Sequence, residues 1–291
     1  MLEKGIIIFA YSRAELLSDC IKSVLSARGS EYWKKILIYQ KGISEVEKIV
    51  DKNSNQFDIL IKINKQFENS LSNINYNRVF GTSLCFDILK LQYVLGIEED
   101  SSISYDALGF IDEIYKRYSS RRAFRGINLG SHQPFVKEKL NTYSLLRFGL
   151  HGQGGVLTRK TWNKISSNKL LLDISKEGWD SKIEYHLKSG FMVTPNLSRI
   201  IDRGWNGTHA PTDPMAPYFE RMRKSWVGNF YASPNYFKNI NEKHLWRKDA
   251  IIYKKWQSLF YYMRLNSILH YIYRKSLKKL DFIRAFTSNG K

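Results

Sequence analysis

The chain has 291 residues with 46 Lys and Arg against 27 Asp and Glu, which gives a formal net charge of +19. A hydrophobic content of 43% and an aromatic content of 14% exclude a disordered polar protein and are enough to fill a sizeable core. The positive charge favours a polyanionic partner, such as a nucleic acid, an anionic membrane surface or a phosphate-bearing substrate.

The first hundred residues are predicted to alternate between strand and helix. Apolar runs predict strands at residues 5–10, 35–39, 59–63 and 93–97, and helical periodicity predicts helices at 13–27, 44–52 and 77–91. Ser44 and Glu47 have the spacing of a capping box at the start of the second helix. The order predicts an α/β fold with a mostly parallel sheet and helices on both of its faces.

The following hundred residues carry weaker signals. Helices are predicted at 105–118, 158–166 and 179–188, and strands at 123–129 and 191–194. A glycine-rich loop is predicted at 149–155, and a mobile loop rich in Gly, Pro and Asn at 202–217. Cys20 and Cys85 lie in apolar helical stretches, so buried free thiols and a reducing cytosol are expected.

An acidic triplet, Glu98-Glu99-Asp100, directly follows the predicted fourth strand. Three adjacent carboxylates repel one another unless a cation lies among them, and hard divalent ions such as Mg²⁺ or Mn²⁺ prefer oxygen ligands. The end of a buried strand is also where open α/β sheets bind their ligands. A solvated acidic turn is the alternative interpretation of the triplet taken alone.

The last segment, residues 243–291, differs in composition from the rest. It contains twelve Lys and Arg, two Asp and ten aromatic residues, with helical periodicity. A basic amphipathic helix with interleaved Trp and Tyr is typical of a segment that lies on an anionic membrane surface. Packing on the core and nucleic-acid binding are the alternatives. The apolar run at residues 6–10 is too short for a signal peptide, and no run of 18 apolar residues predicts a membrane-spanning helix.

Several segments form a pattern that is typical of one enzyme family. Residues 36–40, ILIYQ, are similar to a family strand that ends in Ser-Gln-Asp, and 94–100, VLGIEED, to its Val-Val-Glu-Asp-Asp-Leu stretch. The residues that match its Trp-Asp, Pro-x-x-Ser-Arg, Gly-x-x-Gly and His elements are Trp179, Asp180, Pro195, Ser198, Arg199, Gly204, Gly207 and His209. Residues 5–209 thus resemble the GT-A nucleotide-sugar glycosyltransferases, most closely the N-acetylglucosaminyltransferase I type. Lys41 departs from the pattern, because the family has Asp there.

The resemblance implies a division of roles among the acidic residues. Asp100, the last acid of the triplet, would bind Mn²⁺ or Mg²⁺, which stabilises the charge of the diphosphate leaving group. Glu99 would hold ribose or sugar hydroxyls. Glu98 would support the metal-binding residue without contacting the ion itself. Asp180, at a predicted helix start, would be the base that deprotonates the acceptor hydroxyl. A plain helix-capping role is the alternative for Asp180.

The remaining candidate residues are expected to belong to the donor site or to the sugar pocket. The donor-binding set is expected to comprise Tyr11, Arg13, Gln40, Arg78, Glu98, Glu99 and His209, with His209 in a loop that closes over the donor. Gly154 and Gly155 would let backbone approach a sugar, and Trp179 would stack on a sugar face. A simple turn is the alternative for the two glycines, and a core position is the alternative for Trp179.

These observations predict a GT-A catalytic domain at residues 1–242 and a basic helical extension at 243–291. The expected activity is metal-dependent, inverting transfer from a nucleotide sugar, taken to be UDP-linked, to a glycan or lipid-linked acceptor in bacterial surface-glycan synthesis. We expect a cytoplasmic protein on the inner face of the membrane and no nucleic-acid partner. The alternatives are a sugar nucleotidyltransferase and a non-catalytic nucleic-acid-binding protein.

Overall fold

The structure is a computed structural model that describes residues 3–130, 142–146, 154–167, 174, 179, 183, 190–204, 226–228 and 238–239. Its α-helices are α1 (Ala14–Ser26), α2 (Ser44–Lys52), α3 (Ser70–Ser83), α4 (Ala107–Tyr118) and α5 (Arg159–Ser166). Its strands are β1 (Lys4–Ala10), β2 (Lys34–Gln40), β3 (Ile59–Ile63), β4 (Tyr93–Glu98), β5 (Ser101–Ile103), β6 (Phe124–Asn128), β7 (Thr142–Leu146), β8 (Gly155–Thr158), β9 (Phe191–Pro195), β10 (Ile200–Asp202) and β11 (Lys238–Asn239).

Nine strands form one mixed sheet in the order β11-β7-β9-β6-β8-β4-β1-β2-β3. The half built from β4, β1, β2 and β3 is entirely parallel. Strand β8 is antiparallel to both of its neighbours, β4 and β6, and β7 is antiparallel to β9. The predicted mostly parallel α/β sheet flanked by helices is therefore confirmed.

The strand β1 shows why the sheet must be covered on both faces. Its side chains are apolar at every position from Ile6 to Ala10, and successive side chains point to opposite faces of a strand. Ile6 and Ile8 pack in a core cluster with residues of α1, α2 and α4, whereas Ile7 and Phe9 pack in a second cluster with residues of α5. Each face of β1 thus lies against its own layer of helices.

The chain reverses its direction of travel across the sheet between β1 and β4. It proceeds from β1 outward to β2 and β3, and then returns to place β4 on the other side of β1. In open α/β sheets, ligands bind in a crevice at such a reversal, outside the carboxyl ends of the strands. In this protein the corresponding position, termed the crevice, lies at residues 11–13 and 98–100.

A small second sheet adds a later part of the chain to this crevice. Strands β5 and β10 are antiparallel, and Asp202 pairs with Ser101. The backbone N–H of Arg203 continues the ladder by donating to the carbonyl oxygen of Asp100 at 2.7 Å. Residues 202–204 therefore lie directly beside the acidic triplet.

Most of the predicted elements of the first hundred residues are confirmed, two of them with identical bounds, namely α2 and β3. The predicted capping box is wrong: Ser44 is the first helical residue, and no side chain of the N-cap residue Ile43 accepts a hydrogen bond. Glu47 nevertheless accepts the backbone N–H of Gly42 at 3.0 Å, so half of the motif forms.

The predicted helix at 77–91 begins seven residues too late. The observed α3 begins at Ser70, where the side chain of Asn69 accepts the N–H of Leu71 at 2.8 Å, and a π-helical turn, Leu84–Ile88, follows its end. The buried side chains of its first turns are polar, so no apolar periodicity marks them; they are Ser72, Asn73, Asn75, Asn77 and Arg78.

Several predictions lie outside the described residues. They include Asp180, Gly207 and His209, most of the helix at 179–188, the greater part of the loop at 202–217, and the whole extension at 243–291. The structure confirms that Cys20 and Cys85 are buried free thiols. Among the helices that are described, none is long and apolar enough to cross a membrane.

Candidate functional site

Glu99 fastens the end of β4 to the loop that follows β1. Its carboxylate accepts the backbone N–H groups of Tyr11, Ser12 and Arg13 at 2.5, 3.0 and 3.0 Å. These donors precede the first turn of α1, where the helix dipole also favours a negative charge. In this state the carboxylate oxygens of Glu99 are therefore engaged by the protein backbone, and Tyr11 contributes to the site through its N–H.

Asp100 lies at the bottom of the crevice and is only 9% exposed. Its Oδ2 accepts a hydrogen bond from Nη1 of Arg13 at 2.5 Å. Its Oδ1 has no hydrogen-bond partner among the described residues, and neither does the buried hydroxyl of the adjacent Ser101. A buried carboxylate oxygen without a donor is costly, so this atom is a candidate ligand atom for a cation.

Asp202 and Gly204 approach Asp100 from β10. Oδ1 of Asp202, which is 3% exposed, accepts the backbone N–H of Gly204 at 2.6 Å. Gly204 lies so close to the Asp100 carboxylate and the Arg13 guanidinium that a Cβ at this position would overlap both. The sequence predicts only a loop at Asp202, because no motif marks this residue as part of a site.

The electrostatics of Asp100 reflect its crowded surroundings. Burial, together with the neighbouring charges of Glu98, Asp202 and Glu99, raises the pKa of its carboxyl from 3.8 to about 7, although Arg13 lowers it. Burial, with Asp100 and Glu99 nearby, also raises the pKa of the Cys20 thiol, which lies beneath the site and contacts the carbonyl oxygen of Glu98 at 3.6 Å. Cys20 is thus held neutral and acts as packing.

Glu98 and Arg78 form a second charged pair on the opposite side of β4. Nη2 of Arg78 lies 2.6 Å from Oε1 of Glu98, and its guanidinium stacks on the ring of Phe9 at 4.5 Å from the centroid. The Arg78 side chain is 6% exposed, whereas that of Glu98 is 31% exposed. Arg78 is therefore a buried cation at the carboxyl end of the central strands.

The predicted sugar-pocket residues gather near Arg78. Gly155, Trp179 and Arg78 line one small cavity together with Phe9 and Gly96. Trp179 is buried, and its ring centroid lies 6.3 Å from that of Trp162. The structure thus places Trp179 in the second core cluster at the wall of this cavity.

Gly154 forms the turn that leads into β8. Its φ of +76° is in the left-handed region that favours glycine, and a Cβ there would collide with the side chain of Ile200. Its N–H donates to the carbonyl oxygen of Gly96, and its own carbonyl accepts the N–H of Leu129, each at 3.0 Å. The close approach of Gly154 is therefore to protein backbone.

Gln40 lies apart from the acidic triplet, at the end of β2. It is 1% exposed; its Nε2 donates to the carbonyl oxygen of Lys65 at 2.8 Å, and its Oε1 accepts from Asn77 at 3.5 Å. These contacts anchor the segment after β3. The structure does not bring Gln40 into contact with Asp100.

Arg199, part of the Pro-x-x-Ser-Arg element, forms an ion pair with Asp106 in the core. Nε of Arg199 lies 3.2 Å from Oδ2 of Asp106, and both side chains are 0% exposed. Asp106 also accepts the hydroxyl of Ser104 at 2.7 Å. This pair joins the start of α4 to the segment before β10, and so positions the strand that carries Asp202.

The crevice offers few protein ligands for a divalent metal ion. Within the described ranges, no group of three or more His, Cys, Asp or Glu side chains is placed to share an ion. Mg²⁺ in phosphate-transfer sites is commonly bound by one or two carboxylates, substrate phosphates and water. The unpartnered Oδ1 of Asp100 fits that kind of site, with phosphate oxygens supplying further ligands.

Comparisons with known proteins found likeness in structure only. No protein-family model matches the chain, and no curated protein matches it significantly in sequence. S. aureus TarS matches over 77% of this chain and 39% of its own, with a TM-score of 0.50 at 10% identity. TarS 1-349 matches over 70% of this chain and 61% of its own, with a TM-score of 0.49 at 9% identity.

A third solved structure is the mannosyltransferase PcManGT from Pyrobaculum calidifontis in complex with GDP-Man and Mn²⁺. It matches over 80% of this chain and 67% of its own, with a TM-score of 0.49 at 10% identity. This chain spans less than two thirds of the length of TarS and of TarS 1-349. The likeness to S. aureus TarS at a TM-score of 0.50 shows a GT-A-like fold, and it does not support the narrower N-acetylglucosaminyltransferase I resemblance.

Proposed function

We propose that this protein is a metal-dependent, inverting glycosyltransferase that transfers a sugar from a nucleotide-sugar donor to a hydroxyl group. The donor diphosphate binds in the crevice between the carboxyl ends of β1 and β4. The nucleotide is taken to be a uridine diphosphate, as the sequence resemblance implies. The acceptor is a glycan or lipid-linked hydroxyl.

The observation that carries the proposal is the pairing of Asp100 with Arg13 at the point where the strand order reverses. Ligands of open α/β sheets bind at this point. The site combines a buried carboxylate that has one unpartnered oxygen with a guanidinium that is 32% exposed. A carboxylate for a cation and an arginine for a phosphate are the two groups that a metal-bound diphosphate requires.

Asp100 would hold the Mn²⁺ or Mg²⁺ ion through Oδ1, and Asp202 lies close enough to add to the local negative charge. When bound, the ion supplies Lewis-acid stabilisation of the leaving diphosphate. Arg13 would bind the diphosphate oxygens and balance the negative charge that the ion leaves. Glu99 keeps Arg13 in place by holding its backbone N–H.

The acceptor hydroxyl must lose a proton as it attacks the anomeric carbon, and Asp180 is proposed as the base. Direct attack with a single base inverts the anomeric configuration. Support comes from the sequence pattern and from Trp179, the preceding residue, which lines a cavity with Arg78 and Gly155. His209 is proposed to contact the donor from the segment that follows Gly204. Residues 243–291 are proposed, on composition alone, to bind an anionic membrane surface that presents the acceptor.

Binding of nucleotide sugars tests the donor. Thermal unfolding is measured with UDP-, GDP- and CDP-linked sugars, each with Mn²⁺ and with EDTA. We expect one donor to raise the melting temperature only when Mn²⁺ is present, because an ion held by Asp100 would neutralise the charge of the diphosphate. Asp100→Asn should abolish the rise, and Asp51→Asn, at an exposed position of α2, is the matched control.

Catalysis is tested separately by following release of the nucleoside diphosphate. Asp180→Asn should retain donor binding and lose donor turnover, because it removes only the base. No melting shift with any nucleotide sugar, or full turnover in both Asp100→Asn and Asp180→Asn, would refute the proposed function. A shift with a nucleoside triphosphate and a sugar phosphate instead would favour a nucleotidyltransferase.

A further inference from the structure

The guanidinium of Arg13 lies on one carboxylate oxygen of Asp100, directly beside the oxygen that would hold a cation. Nη1 of Arg13 is 2.5 Å from Oδ2 of Asp100, and the carboxylate of Asp100 has no other side-chain donor among the described residues. Asp100 is buried in the crevice floor, so water does little to stabilise its negative charge. Arg13 is therefore the counter-ion of Asp100 among the described residues.

The two partners differ in their freedom to move. The backbone of Arg13 is fixed twice, because its N–H donates to Glu99 and its carbonyl accepts the N–H of Leu17 at 2.9 Å. Its side chain, however, is 32% exposed against 11% for Asp100. A long side chain on a fixed backbone at the rim of a crevice can leave its partner without disturbing the fold.

Space beside Asp100 is restricted. Gly204 covers both the carboxylate and the guanidinium so closely that even a methyl group there would overlap them. Close approach of an ion to Asp100 therefore competes with the guanidinium both for the carboxylate charge and for room. A second positive charge next to an arginine is also repelled more strongly in a site that is largely shielded from water.

We propose that a divalent cation displaces Arg13 from Asp100 and that the released guanidinium then binds the donor diphosphate. This inference rests on the proposed function, because it assigns the order of events at the same site. Arginine binds phosphate oxygens through two parallel N–H donors, and a metal ion has no hydrogen-bond donors of its own. Arg13 therefore opposes metal binding and favours donor binding, so its removal changes the two affinities in opposite directions.

The test is a pair of titrations on the full chain and on Arg13→Gln. Mn²⁺ alone is titrated first, by calorimetry or by the electron paramagnetic resonance of free Mn²⁺. We expect Arg13→Gln to bind Mn²⁺ at least about fivefold more tightly than the unchanged protein, a typical lower bound for coupled sites. UDP is titrated next at saturating Mn²⁺, and Arg13→Gln should bind it at least about fivefold more weakly.

Two control variants separate displacement from general electrostatics. Arg203→Gln removes an equal charge from an exposed arginine that pairs with Asp19 at 2.8 Å near the same site. It should leave the Mn²⁺ affinity within about twofold, whereas Arg13→Lys, which keeps the charge, should bind Mn²⁺ more weakly than Arg13→Gln. Asp100→Asn should lose Mn²⁺ binding, with circular dichroism used to check that each variant is folded.

Equal or weaker Mn²⁺ binding in Arg13→Gln, or an equal gain in Arg203→Gln, would overturn the displacement. Unchanged UDP affinity in Arg13→Gln would overturn the transfer of Arg13 to the diphosphate. The Mn²⁺ results are independent of the proposed function, which fails if no nucleotide or nucleotide sugar binds the unchanged protein. Tighter Mn²⁺ binding in Arg13→Gln would support the displacement even then.

Discussion

Gly204 and Asp100 are in such close contact that no other residue type fits at position 204 without moving the carboxylate. The contact exists because β10 pairs with β5 and the N–H of Arg203 then donates to the carbonyl oxygen of Asp100. A glycine that the sequence marks only as part of a motif thus covers the proposed metal ligand. Its small size is a requirement of the site.

Gly204→Ala should weaken Mn²⁺ binding by about tenfold or more, because the added methyl group pushes the Asp100 carboxylate out of position. Calorimetric titration with Mn²⁺ measures the effect. Gly42→Ala is the matched control, since its methyl group would meet no atom within 4 Å while its φ of +91° makes the backbone strained. It should lower stability and leave Mn²⁺ affinity unchanged, and equal Mn²⁺ losses in the two variants would contradict the steric explanation.

Asp100 should make stability depend on pH in the metal-free protein. Its pKa is raised to about 7, so the folded state favours the protonated form, and stability falls as the pH rises from about 4 to 7. Asp100→Asn lacks this loss. Unfolding in urea with EDTA measures the free energy of unfolding of both proteins. The value for Asp100→Asn minus the value for the unchanged protein should increase by more than about 1 kcal/mol between pH 4 and pH 8.

The exposed Asp51→Asn variant of α2 controls for general changes of charge. Its stability relative to the unchanged protein should be the same at both pH values. A stability difference for Asp100→Asn that is constant with pH would show that the burial of this carboxylate does not raise its pKa.

Glu99→Gln should reduce stability by about 2 kcal/mol, because three backbone N–H groups lose a charged acceptor. It should also weaken UDP binding, since the loop that carries Arg13 is no longer held. Urea unfolding and UDP titration measure the two effects. Glu45→Gln, at an exposed position in the first turn of α2, should change neither by a comparable amount. Normal stability in Glu99→Gln would refute the fastening role.

Arg199→Met should destabilise the fold by about 3–5 kcal/mol, because it leaves the fully buried Asp106 carboxylate without its cation. Arg203→Met removes an ion pair of similar length whose partners are 41% and 42% exposed, and should cost less than about 1 kcal/mol. Urea unfolding of both variants compares them directly. A small cost for Arg199→Met would mean that this arginine does not position β10.

The sequence predicts the parallel half of the sheet well, because its signals are local. The run from Ile6 to Ala10 is apolar throughout, which is the composition of a strand buried on both faces. Strand β8 and strand β5 were missed, because they are three or four residues long and form only against strands distant in the chain. The start of α3 was missed since its buried face is polar.

For the candidate site, the sequence by itself determined that carboxylates follow the fourth strand, and it singled out Asp100 and Arg13. Only the tertiary structure decided their relationship. The chain returns across β1 and places β4 beside it. As a result Arg13 pairs with Asp100, and Glu99 accepts a hydrogen bond from the backbone N–H of Arg13. The pairing of β5 with β10 adds Asp202 and Gly204 from a hundred residues later. Local patterns cannot encode these contacts, because they depend on which strands pair, and that is decided by the burial of the whole sheet.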